Sequence, residues 1–228
     1  MSIGYKKFRY PFVAKDLALG NFFKGVLLFI SKHSGDADFY PNYDDVVVKI
    51  GIYSDILGRN LLIKQTVKDR RERYDGALVD LYRGLHSLRI LLPALFGSND
   101  MLDDFGLLFP FGIGDVNKFW RFGRICRDHW AEISVPVPPP EYVPLAGRLD
   151  SVAGLVESFE NKRTDYVSVR NRRAEIHNDK NAARKEALEA ERRLFRWFQA
   201  LYPDARDEYW TETPWGRAPR RKKKTGDG

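Results

Sequence analysis

Apolar residues recur in steps of three and four along residues 74–95: Tyr74, Leu78, Leu81, Tyr82, Leu85, Leu88, Leu92 and Leu95. This spacing puts them all on one stripe of an α-helix, whereas a strand would bury every second residue. So long a seam needs apolar helices packed against it, which commits the chain to helix-on-helix architecture. Thr66 with Asp69 three residues on resembles a capping box and sets the expected start. Gly97 supplies the stop, and Pro93 is expected to kink the final turn.

Other stretches read alike. Leu19, Phe22, Phe23, Val26, Leu27 and Ile30 share one face of a helix that Asp16 would cap, and Ser34, Gly35, Asp36 and Pro41 form the loop after it. Residues 44–63 carry Val46, Val47, Ile50, Tyr53, Leu57 and Leu61 on one face. The run Val46, Val47, Val48 would suit a short strand, but the helical period persists beyond it. In the second half Asp115 starts a helix with Val116, Phe119, Trp120, Gly123, Cys126 and Trp130 on one face. A proline-rich connector follows over 135–144, with Pro138, Pro139 and Pro140 expected as a stiff polyproline II spacer. The next helix carries Leu145, Leu149, Val152, Leu155, Val156 and Phe159. A third begins between Asp165 and Asp179, carries Ile176, Ala183, Ala187, Ala190, Leu194, Trp197, Phe198 and Leu201, and ends at Pro203.

The two halves follow one order. An offset of 106 residues pairs Leu81 with Ala187, Leu88 with Leu194, Leu92 with Phe198, Leu95 with Leu201 and Phe96 with Tyr202. An acidic turn and an aromatic segment, 105–112 or 209–216, come after each, and both segments end in Pro, an aromatic and Gly. The expected fold is all-α: two tandem three-helix units from an internal duplication, forming a helical bundle with proline-rich connectors. The expected organisation is an N-terminal extension over 1–15, a first unit over 16–112, a second over 113–216 and a basic tail, expected to be disordered, over 217–228.

Phe22 and Phe23, residues 88–96 from Leu88 to Phe96, and residues 103–107 mark a layout of a short aromatic helix, a second helix, a long basic helix and a following turn. In that layout the chain is similar to a group of uncharacterised bacterial proteins built from tandem helical units. The resemblance implies the tandem architecture and carries over no site residue.

Charge is unevenly placed. The formal net charge is +7, and Arg217, Arg220, Arg221, Lys222, Lys223 and Lys224 against Asp227 place +5 of it in residues 217–228. Lys68, Arg70, Arg71 and Arg73 form a second basic group, and Lys162, Arg163, Arg170, Arg172 and Arg173 a third. Asp69, Glu72 and Asp75, and Glu160, Asp165 and Glu175, interleave with or flank these two groups. Solvated helices laced with ion pairs therefore account for them better than an anion surface does. Nothing neutralises the tail locally, so nucleic acid, an acidic protein surface or anionic lipid would each suit it.

Motifs for chemistry are absent. His33, His86, His129 and His177 lie far apart, without partners at metal-ligand spacing. Cys126 falls on an apolar helix face, where a buried inert thiol is expected. Gly112, Ile113 and Gly114 lack the rest of a phosphate loop. No catalytic residue, metal or cofactor is expected. One cysteine excludes an internal disulfide framework and fits a reducing compartment. The first residues lack an apolar signal region, and Lys24 breaks the longest apolar run near them, so neither a signal peptide nor a membrane span is expected and a cytoplasmic location is.

Aromatics exceed what thin three-helix cores would hide, which points to Phe105, Phe109, Phe111, Tyr209, Trp210 and Trp215 as protein-contact residues. The leading expectation is a non-enzymatic interaction or assembly protein that docks these segments into a protein partner, a second copy of the chain included, in a closed oligomer or head to tail. The alternative is a nucleic-acid-binding protein using the tail and the basic helix ends.

Overall fold

A computed structural model describes residues 16–108, 110–203, 210 and 213–215. Its elements run α1 (Asp16–His33), α2 (Tyr43–Phe96), α3 (Met101–Asp104), α4 (Val116–Ile133), a 3-10 turn (Pro140–Leu145) and α5 (Ala146–Leu201). The chain is all-α, with no strand among the described residues.

Two helices are far longer than expected: α2 has 54 residues and α5 has 56. The helices expected over 44–63 and from Thr66 are one, because nothing between Gly58 and Gly76 breaks a helix. Thr66 caps nothing; its hydroxyl donates to the Leu62 carbonyl at 3.1 Å, the bond of a mid-helix threonine. Likewise no Gly or Pro follows Gly154 before α5 ends, so the second and third helices of that half are also continuous. Each half therefore holds one 18-residue helix and one long helix in place of three. The connector is extended at Pro139, with φ −56° and ψ 142°, before the 3-10 turn.

Packing divides the chain elsewhere than after residue 112. One compact unit joins the described residues up to Leu61 to those from Glu175 onward, and the other is Leu62–Ala174. Each unit thus takes one short helix and a portion of both long ones.

In the first unit Leu19, Phe23, Val26 and Ile30 of α1 are buried against Val46, Ile50 and Tyr53 of α2 and Ala187, Leu194 and Phe198 of α5. Phe23 meets Tyr53 edge-on at 5.5 Å, and Phe29 meets Phe198 edge-on at 5.2 Å. In the second unit Phe119, Gly123, Cys126 and Trp130 of α4 lie against Leu81, Leu85, Leu88 and Leu92 of α2 and Leu149, Val152, Val156 and Phe159 of α5. Close packing needs Gly123, where a Cβ would stand 3.0 Å from the Val156 Cγ2. Buried positions recur between the units: 19, 23, 26 and 30 of α1 match 119, 123, 126 and 130 of α4, and 46, 50 and 53 of α2 match 152, 156 and 159 of α5.

Candidate nucleic-acid interface

Of the expected docking aromatics, the four that are described pack within their own units. Phe105 is fully buried beside Leu107, edge-on to His129 at 4.7 Å. Phe111 is half-buried, 5.9 Å from Tyr82 and 5.6 Å from Phe122. Trp210 and Trp215 are buried against Phe195, and the Trp215 indole donates to the Glu191 carboxyl. Rings that complete a core are not on offer to a partner, so the contact role expected of Phe105, Trp210 and Trp215 is corrected. Phe109, Tyr209 and the tail cations Arg217, Arg220, Arg221, Lys222, Lys223 and Lys224 lie outside the described residues.

Within Leu62–Ala174 the two basic helix groups, far apart in sequence, stand side by side. The Arg70 guanidinium donates to the Asp165 carboxylate. One turn on, Tyr74 stacks on Tyr166 with ring centroids 5.4 Å apart and planes 18° from parallel. Burial, opposed by the Arg163 charge, pushes the Tyr74 phenol up. These contacts align residues 62–74 of α2 with residues 162–174 of α5. Ten cations lie there, Lys64, Lys68, Arg70, Arg71 and Arg73 with Lys162, Arg163, Arg170, Arg172 and Arg173, against three carboxylates, Asp69, Glu72 and Asp165.

Ion pairing leaves most of that charge free. Lys68 reaches Glu72 at 4.0 Å and Arg71 reaches Asp75 at 3.5 Å, both exposed. Among the described residues the other seven cations, apart from Arg70, pair with no carboxylate. Of this stretch of α2 only Ile63 and Val67 are buried, and residues 170–174 of α5 are all exposed. The ion-pair account therefore holds for Lys68, Arg70 and Arg71 and fails for the other seven.

An aromatic edge borders the stretch. Trp120, in the second turn of α4, donates its indole N–H to Glu160 at 3.1 Å, and the Arg163 guanidinium lies over its ring at 4.1 Å from the centroid. Arg124 approaches the same ring at 5.6 Å, and Arg127 bonds both Glu160 and Asp128 at 2.9 Å, so these carboxylates are already occupied. Arg163, Thr164, Ser168 and Asn171 line a groove beside Trp120. Arg121, exposed on α4, also has no carboxylate partner among the described residues. Periodicity alone places Trp120 on the apolar face of α4, and the basic groups apparent in the sequence omit Lys64, whose step of four to Lys68 is the available signal.

Other titratable groups do not converge. His33 pairs with Asp36, His86 lies by Tyr82 and His177 is exposed. Among the described residues no group of three His, Cys, Asp or Glu could hold a metal, and no helix is long and apolar enough to cross a membrane. Compared with protein-family models, curated proteins and solved structures, the chain matches none.

Proposed function

We propose that this is a nucleic-acid-binding protein whose contact surface is the basic two-helix stretch of α2 and α5. The observation that carries the reading is the side-by-side placement of residues 62–74 and 162–174, which gathers ten cations, seven of them without a carboxylate partner among the described residues. Positive charge held in register on stiff helices suits a polyanion, because each phosphate neutralised releases counterions to solvent. The basic tail adds a second cationic element. We further infer that the chain carries two copies of a short-helix, long-helix unit, supported by the matched helix lengths and the recurring buried positions. Only the second copy's short helix bears a basic exposed stripe, Lys118, Arg121 and Arg124, which sets that half apart.

Fluorescence anisotropy with labelled nucleic acid tests the proposal. The full chain should bind at low salt and weaken steeply as salt rises. Exchanging Lys64, Arg170 and Arg173 for Glu should weaken binding at least about tenfold while helicity is kept. Unchanged affinity in that variant would refute the surface.

A further inference from the structure

We infer that the nucleic acid this surface takes is a duplex, held through its phosphates. The inference rests on the proposed function and narrows it to one substrate class. Proteins that hold single strands combine a positive groove with aromatic rings on which bases stack, worth about 1–3 kcal/mol per base. Here charge is present and free rings are not. The aromatic residues of the stretch itself, Tyr74 and Tyr166, stack on each other, and Tyr74 also packs on Phe159 at 5.5 Å. Trp120 at its border has the Arg163 guanidinium over its ring and its N–H on Glu160. A base would have to displace these partners before it could stack.

Shape points the same way. The free cations stand on two continuous helices, so their spacing is fixed before any ligand arrives. Residues 170–174 are exposed without interruption, and the groove beside them, lined by Arg163, Thr164, Ser168 and Asn171, offers as its aromatic wall only the Trp120 ring that Arg163 already covers. A ridge of helix suits the regular, stiff phosphate array of a duplex, which carries one charge per roughly 1.7 Å of its axis. Neither backbone has to be ordered, whereas a flexible single strand would lose conformational freedom against a surface that returns no stacking energy.

The test uses the full-length chain with its six tail cations changed to Gln, so that the tail does not report. Anisotropy is read with a DNA duplex of about 20 base pairs and with each of its strands, at salt from about 50 to about 200 mM. The duplex should bind at least about tenfold more tightly than either strand, with a log–log salt slope steeper than about −3. Adding Lys64→Gln, Arg170→Gln and Arg173→Gln, all on exposed helix, should reduce that slope by about 2 to 3. Single strands bound as tightly as the duplex would overturn the duplex inference and leave the proposed function standing. Binding of neither would overturn both.

Discussion

The Arg163 guanidinium lies 4.1 Å from the centre of the Trp120 ring and forms no ion pair with a described carboxylate, so stacking and not a counter-charge holds it in place. Its N–H edges remain available to a phosphate. Arg163→Lys keeps the charge but loses the planar fork and the stack, and should weaken nucleic-acid binding about three- to tenfold with the salt slope unchanged. Arg163→Gln should also lower the slope by about 1. Both are read by anisotropy; wild-type affinity in Arg163→Lys would remove any special role for the stacked guanidinium.

Glu191 gives the first unit an unusual pH response. Its side chain is fully buried, one oxygen accepts from the Trp215 indole, and the other has no hydrogen-bond partner among the described residues. Burial raises its pKa from 4.5 to about 7, against the opposing pull of Trp215 and Arg192. The folded state therefore keeps the proton where the unfolded chain has lost it. This contribution is complete below about pH 4.5 and is lost as pH climbs through about 7. Compared with Glu191→Gln, the wild-type chain should lose stability, on the order of 3 kcal/mol, between those limits. Thermal melts of both proteins at several pH values would show it, and parallel pH profiles would contradict it.

Lys180 of α5 is buried, and its ammonium meets the Asp16 carboxylate at 2.6 Å, with Arg184 at 3.8 Å from the other oxygen. Burial and then the Asp16 charge push the neighbouring Tyr53 phenol up to about 12. Asp16→Ala would strand a buried ammonium and should cost about 3 kcal/mol in chemical denaturation. Adding Lys180→Met should restore most of that loss. Failure of the second change to rescue the first would mean that the pair is held for another reason.

Cys126 lies at the centre of the second core, and burial pushes its thiol up to about 12. Native protein at pH 8 should resist alkylation and react at an ordinary rate once denatured, because only the thiolate is nucleophilic. Rapid labelling of native protein would mean that α4 opens readily.

Much of this was legible in periodicity. The spacing of Leu19, Phe23, Val26 and Ile30, and of Phe119, Gly123, Cys126 and Trp130, names the buried face of each short helix. Helix length was not legible, because Thr66 and Asp69 match a cap signature that an uninterrupted helix also tolerates. Aromatic, proline-containing segments look the same whether they cover their own helices or a neighbour's. Packing against Gly25, where a Cβ would lie 3.4 Å from Pro214, and of Gly106 against Ile125 decides for their own. The basic surface was hidden for another reason. Lys68 to Arg73 and Lys162 to Arg173 each read as a mixed, balanced helix face, and their charge adds up only once Tyr74 meets Tyr166.

Lysine footprinting locates the bound ligand most directly. Acetylation rates would be read by mass spectrometry on the full chain, with and without a nucleic-acid duplex. Lys64, Lys68 and Lys162 should be protected, while Lys24, Lys32 and Lys185, exposed on other surfaces, keep their rates. Protection confined to Lys222, Lys223 and Lys224, with Lys64 and Lys162 labelled as in the free protein, would contradict the account.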